Sequence, residues 1–174
     1  MSAESFTTAM FLITAVVAAA VLINAIFPII YNMAGTFSSS SHASDVRLRT
    51  DFVIIATFAS SSVNPNTAQV WMKNIGSEPV AMADIKHSDV FCGQQSNFGL
   101  LTYFSGSTPG NGQWTATLED VDNNTNYWDP GETLQITANT AGTSYVLGTT
   151  GTLVYFQYVL PDGISRSTQF TVAS

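Results

Sequence analysis

Asp120, Asp122, Asn124 and Asn126 recur at every second position of the segment LEDVDNNTNYWDPGET. A chain that curls around a hard cation presents alternate oxygen ligands, and this spacing copies the first four ligand positions of a calcium loop. The copy then fails. Thr125 stands where the sharp turn calls for glycine, and Glu132 falls one residue beyond the bidentate acid of an EF-hand. Two readings stay open: a calcium site held by those four residues, and an acidic, solvated loop built from Asx turns. Asn123-Asn124-Thr125 is also an acceptor pattern for N-glycosylation, which belongs on a surface loop outside the cell.

The remaining chemistry-bearing residues are few. The single cysteine, Cys92, excludes an internal disulfide and a multi-cysteine zinc site, and next to Gly93 it reads as a small buried filler. His87 lies in ADIKHSDVF, where strand alternation sets it beside Asp89 and Ile85, so a hydrogen-bonded strand histidine is expected. His42, in a serine run, reads as solvated. The chain has no Gly-rich phosphate loop, G-x-S-x-G elbow or H-E-x-x-H helix, so neither enzymatic activity nor an organic cofactor is expected. Five Lys and Arg against twelve Asp and Glu give a net charge of −7, which lacks the basic footprint nucleic acid requires.

Charged residues make up only 10% of the 174, against about 25% in an ordinary soluble domain. None lies between Glu4 and Asp45, and from Ala9 to Tyr31 only Thr14, Asn24 and Pro28 interrupt an apolar run. At about 1.5 Å per residue such a helix covers roughly 35 Å, enough to cross a hydrocarbon core of about 30 Å. The preceding MSAESFTT has no Lys or Arg, unlike a secretory signal or pilin leader, so the segment reads as a retained anchor. Arg47 and Arg49 alone would set the following chain on the cytoplasmic side. Its richness in Ser, Thr, Asn and Gly and poverty in Lys argue more strongly for the outside.

On a helix, Thr7, Thr14, Ala18, Ala25, Asn32 and Thr36 fall within one narrow stripe. Small, weakly polar residues let helices approach closely in lipid, although a helix rich in Ala and Thr also makes such stripes by composition alone. Pro28 is expected to kink the outer half. The following GTFSSSSHAS at 35–44 fits either a flexible linker or a frayed continuation of the helix, and Ser44 could cap a short amphipathic turn. We divide the chain into residues 1–45, an anchoring helix with a polar linker, and 46–174, an outer β-domain.

In that domain about eight β-type runs alternate with turn signals, the pattern of an all-β sandwich. The runs are 51–59, 68–74, 79–91, 98–104, 113–119, 132–138, 152–160 and 164–172, with loops at 63–66, 74–79, 105–112, 120–131 and 161–163. The hairpin around Pro161-Asp162-Gly163 is the clearest, with Val154, Phe156 and Tyr158 alternating on one arm and Ile164, Phe170 and Val172 sharing a parity on the other. Exposed strand edges are expected to offer pairing to a partner.

The apolar N-terminal helix, the Ser-rich segment, the string RLRTDFVII at 47–55 and the β-domain together resemble the FlaG-type stator proteins of the archaeal flagellum, the archaellum. VWMKNIGSEPV at 70–80 is a weaker match, shared with archaellins and related archaeal surface domains. The resemblance implies an immunoglobulin-like sandwich outside the cytoplasmic membrane, held by a single-pass helix. Implied partners are the companion stator FlaF, through it the surface layer, motor or filament proteins, and a possible second copy. The implied role is to brace the motor against the envelope. An archaellin or type IV pilin-like filament subunit, or an envelope module binding a cation or sugar through the 120–132 loop, are the alternatives.

Overall fold

The computed structural model describes residues 2–60, 66–119 and 126–174. It divides into two compact units, Met1–Asp45 and Val46–Ser174.

The first unit is the larger part of one helix, α1 (Ser2–Arg49). Ala- and Leu-type residues favour it, and the hydroxyls that would otherwise compete with the backbone are spent inside it. Thr14 Oγ1 donates to Met10 O at 2.8 Å, Thr36 Oγ1 to Asn32 O at 2.8 Å, and Ser39 Oγ to Gly35 O at 3.0 Å. The segment 35–44 is therefore helical, not a linker, and Ser44 sits within the helix with its hydroxyl on Ser40 O instead of capping a new turn. Pro28 lies inside the helix, with Phe27 and Tyr31 stacked one turn apart.

The second unit holds, among the described residues, ten strands and the short helix α2 (Met82–Lys86). In chain order the strands are β1 (Phe52–Ala59), β2 (Thr67–Asn74), β3 (Val80–Ala81), β4 (Asp89–Gln94), β5 (Asn97–Tyr103), β6 (Gln113–Glu119), β7 (Tyr127–Trp128), β8 (Thr133–Asn139), β9 (Leu153–Val159) and β10 (Ser165–Thr171). Eight form one sheet in the order β1-β2-β8-β6-β5-β4-β9-β10, antiparallel except where β5 meets β6 at Thr102↔Gln113 and Tyr103↔Trp114. There the sheet turns from one layer of the sandwich, β1-β2-β8-β6, into the other, β5-β4-β9-β10. The inward side chains of both layers form one core: Val70, Met72, Trp114, Leu134 and Ile136 on one side, and Val90, Cys92, Val154, Phe156 and Tyr158 on the other, each fully buried. Strict period-two alternation along β2, β8 and β9 produces this, with every second residue buried.

The hairpin β9–β10 has the expected register, with Phe170 opposite Val154. Gly163, at φ +87°, supplies the left-handed step that the turn needs, and Asp162 Oδ1 accepts the amide of Ile164 at 2.9 Å. The run at 79–91 is broken, not continuous. Met82, Ala83 and Lys86 are good helix formers, and the Met82/Ile85 spacing buries Ile85 completely, so a helical turn displaces the strand.

The sheet ends in β1 and β10, which no continuous ladder joins among the described residues. The end strands β1 and β10 lie side by side, bridged at Ser60↔Ala173, where the Ala173 amide donates to Ala59 O at 2.7 Å. At the other end Arg166 ion-pairs with Asp51.

Candidate functional site

The two sequence segments that carry the family likeness meet at one place. Val46–Arg49, the last turn of α1, belongs to the β-domain unit. The final carbonyls of a helix have no partner of their own. Here the Arg49 carbonyl accepts the amides of Ser77 at 2.9 Å and Glu78 at 3.3 Å, and the Asp51 carbonyl accepts those of Ile75 at 3.0 Å and Gly76 at 2.9 Å. The RLRTD string and the NIGSEP turn are thus stitched backbone to backbone. The approach is so close that a Cβ at Gly76 would overlap the Arg49 carbonyl oxygen. Only glycine fits.

Side chains reinforce the stitch. Arg49 pairs with Glu78 at 3.4 Å. Asn74, buried, donates through Nδ2 to Glu78 O at 3.1 Å and Trp128 O at 2.9 Å, and accepts the Gly76 amide on Oδ1 at 2.9 Å. Its own backbone exchanges bonds with the next loop, Asn74 N to Glu132 O at 3.0 Å and Gly131 N to Asn74 O at 2.8 Å. The Arg166 guanidinium, paired with Asp51, lies 5.7 Å above the Phe52 ring, and Phe52 packs against Trp128 and Tyr158. The joint therefore binds the helix end, the 74–79 turn, the 128–132 loop and β10 into one block.

Sequence reasoning found RLRTD and the N-x-G turn, but not that they touch, nor that Trp128, Glu132 and Arg166 support them. The one local signal was Asn two residues before Gly at the end of an apolar strand, a pattern that calls for an Asx-type bond. Contacts across 54 residues, as between Asn74 and Trp128, leave no mark in local spacing.

Asp120, Asp122 and Asn124 of the proposed calcium loop lie outside the described residues, as does Asn123 of the glycosylation pattern. Asn126 is described: it is exposed, and its carbonyl accepts the Met82 amide at 2.9 Å. Glu132 is engaged elsewhere. It is buried, its Oε2 accepts the Asp129 amide at 2.9 Å, and its carbonyl takes Trp128 Nε1 at 2.9 Å. Among the described residues no three His, Cys, Asp or Glu side chains group as metal ligands.

His87 is not a strand residue. It caps the C-terminal end of α2, with Nδ1 2.7 Å from the Ala83 carbonyl, because the helical turn at 82–86 replaces the expected strand. Cys92 is wholly buried, and burial pushes its thiol up to about 12 against a slight lowering by a backbone hydrogen bond at Gly93. A thiol so hard to ionise has no nucleophilic use at neutral pH. In α1, Ala18 and Ala25 are exposed with Thr7 and Thr14, whose hydroxyls bond to their own helix. The helix carries an apolar surface long enough to cross a membrane.

The model of archaeal-type flagellin matches residues 2–170. This chain belongs to the archaeal-type flagellin family. A relative from Archaeoglobus fulgidus, described as an uncharacterized protein, is 29% identical over 136 residues, covering 78% of this chain and 80% of that one. Among solved structures, the archaellum periplasmic stator protein FlaG from Sulfolobus acidocaldarius is 26% identical with a TM-score of 0.52, covering 70% of this chain and 99% of that chain. The FlaF and FlaG stator complex of the same organism matches at 24% identity and TM-score 0.51, over 68% of this chain and 87% of that chain. The archaeal flagellum of Methanospirillum hungatei matches at 16% identity and TM-score 0.54, over 92% of this chain and 91% of that chain. The likeness to FlaG-type proteins and the immunoglobulin-like sandwich behind an apolar N-terminal helix, both expected from the sequence, are borne out by these matches.

Proposed function

We propose that this protein is a structural component of the archaellum and serves as its stator: a single-pass membrane anchor carries a β-domain outside the cytoplasmic membrane, where it braces the motor against the envelope. The observation that carries the reading is the 26% identity that extends over 99% of the FlaG chain, joined to an N-terminal helix able to sit in lipid. The joint supports it in physical terms. Force passing between helix and domain must cross Arg49–Asp51, and that crossing is where the backbone is doubly stitched to the 74–79 turn. The matched FlaF and FlaG complex supports a FlaF-type protein as partner, with the surface layer reached through it. The work is mechanical, not catalytic.

The test is reconstitution of the detergent-solubilised full chain with the FlaF-type protein of the same organism. A stable complex on size exclusion, together with loss of swimming on gene deletion and restoration by the full chain, is the expected result. Absence of a complex and normal swimming overturn the reading.

The match to the Methanospirillum hungatei flagellum, which reaches across 92% of this chain, favours a second reading as a filament subunit. Fractionation separates the two. Purified filaments built mainly of this chain, with a mature N-terminus downstream of Met1, establish the filament role; recovery in the membrane fraction with Met1 retained establishes the anchor.

A further inference from the structure

The outer face of the β2-β8-β6 layer bears a groove. Its cavity, of about 490 Å³, is floored by Thr67, Gln69, Thr117, Gln135 and Thr137 and walled by the loop at Ser107–Pro109. Among the described residues no charged side chain lines it. The five floor side chains make no hydrogen bond to the described residues, so their hydroxyls and amides are open to a ligand. The wall is held in place: Asn139 Nδ2 donates to Pro109 O at 3.0 Å, Thr115 Oγ1 to Gly106 O at 2.7 Å, and Gln113 Oε1 accepts the Gly110 amide at 2.9 Å.

The chemistry narrows the ligand. β8 is paired on both sides, with β2 and with β6, so its backbone is spent and an extended peptide cannot add here as a strand. Without a charge, the groove gives an ion nothing to offset its desolvation. What it offers is a preformed row of neutral donors and acceptors, each able to give and take a hydrogen bond. Beside it stands an aromatic: Trp71 lies directly opposite Gln135 on the same face and is part-exposed, whereas Trp114 and Trp128 are wholly buried. Neutral hydroxyls and amides next to an exposed indole complement a neutral polyhydroxylated ring, whose equatorial groups hydrogen-bond while its C–H face lies on the aromatic.

We infer that this groove binds a neutral glycan. The site is independent of the stator and filament readings. The test uses the full chain in a non-glycosidic detergent, titrated with maltohexaose, cellopentaose, chitopentaose and a mannose oligosaccharide. Binding is read by calorimetry and by tryptophan fluorescence, in which Trp71 is the responsive indole. A high-mannose glycoprotein and its enzymatically deglycosylated form separate protein-borne glycan from free saccharide. The expected result is saturable binding of at least one saccharide with a fluorescence shift, weakened at least tenfold by Gln135→Leu and by Thr137→Val and with the shift abolished by Trp71→Phe. Both floor substitutions remove groups that bond to none of the described residues, and unchanged melting curves check that the domain is intact. Absence of binding by every saccharide at millimolar concentration overturns the inference, as does binding that survives both floor substitutions within twofold.

Discussion

Substitution of Asn74 tests whether the joint is an energetic unit or a set of incidental contacts. Asn74→Ala removes two donations, to Trp128 O and Glu78 O, and the acceptor of the Gly76 amide. Each buried group left without a partner costs on the order of 1 kcal/mol or more, so the loss is about 3 kcal/mol. For a unit the size of Val46–Ser174, with an unfolding entropy of roughly 2.1 cal/mol/K per residue, that lowers Tm by about 11 °C. Asn74→Asp sharpens the test, because it preserves volume and the Gly76 acceptor while aiming a carboxylate at two carbonyl oxygens. Its folded-state pKa must rise above the unfolded value of about 3.9. The variant is therefore least destabilised below pH ~4 and loses stability as pH rises through the folded pKa. The assay is thermal melting of the full chain followed by near-ultraviolet circular dichroism, which reports the buried Trp128 beside the joint. If Asn74→Ala melts within about 3 °C of the parent, or if the Asp variant shows no added loss between pH 4 and 7, the joint is not the unit described.

Three further outcomes are expected. Burial raises the pKa of Cys92 from 9.0 to about 12 and raises those of Tyr158 and Tyr103 from 10.0, so the folded chain holds protons that the unfolded one releases. Stability should be flat up to about pH 9 and fall above it, and Cys92→Ala should lessen the slope between pH 9 and 10 in alkaline titrations of denaturant midpoint. Gly99 faces the Tyr145 ring so closely that any Cβ overlaps it, so Gly99→Val should cost about 2 kcal/mol and expose that ring, seen as faster proteolysis near 145. If the Thr7, Thr14, Ala18, Ala25 stripe packs helices together, Ala18→Leu should weaken self-association in detergent by sedimentation equilibrium, while Val16→Ala, on the opposite face of the helix, should leave it intact.

Much of the architecture was legible because it is written locally. Period-two alternation marked β2, β8 and β9, and Pro161-Asp162-Gly163 marked the hairpin that follows β9, since each signal spans only a few residues. The reading failed where two local signals competed. At 79–91 apolar residues alternate well enough for a strand, yet Met82–Lys86 wins as a helical turn because Ile85 finds a buried site. At 35–44 serine composition left a linker and a continued helix both open, and the hydroxyls that fold back onto preceding carbonyls decide for the helix. The site was least legible. Asn74, Trp128, Glu132 and Arg166 come together only through tertiary closure, and Glu132, one residue off the spacing of a calcium-loop acid, is a bracket for Asp129 and Trp128.

The adjacency of β1 and β10 also orders events during synthesis. Asp51 and Arg166 are 115 residues apart, so the first strand of the domain must wait for the last before its outer side is covered. Pairing over such a separation is slow, and it cannot begin until β10 has been synthesised. Until then β1, with its half-exposed Val53, Ile55 and Phe58, is the segment of the nascent domain most prone to mispair. The late strand is suited to arriving last: SRSTQ is polar and carries the one arginine that finds Asp51, so it stays soluble while it waits and selects its neighbour by charge. Deletion of β10 should therefore act as a folding defect, leaving the whole domain open.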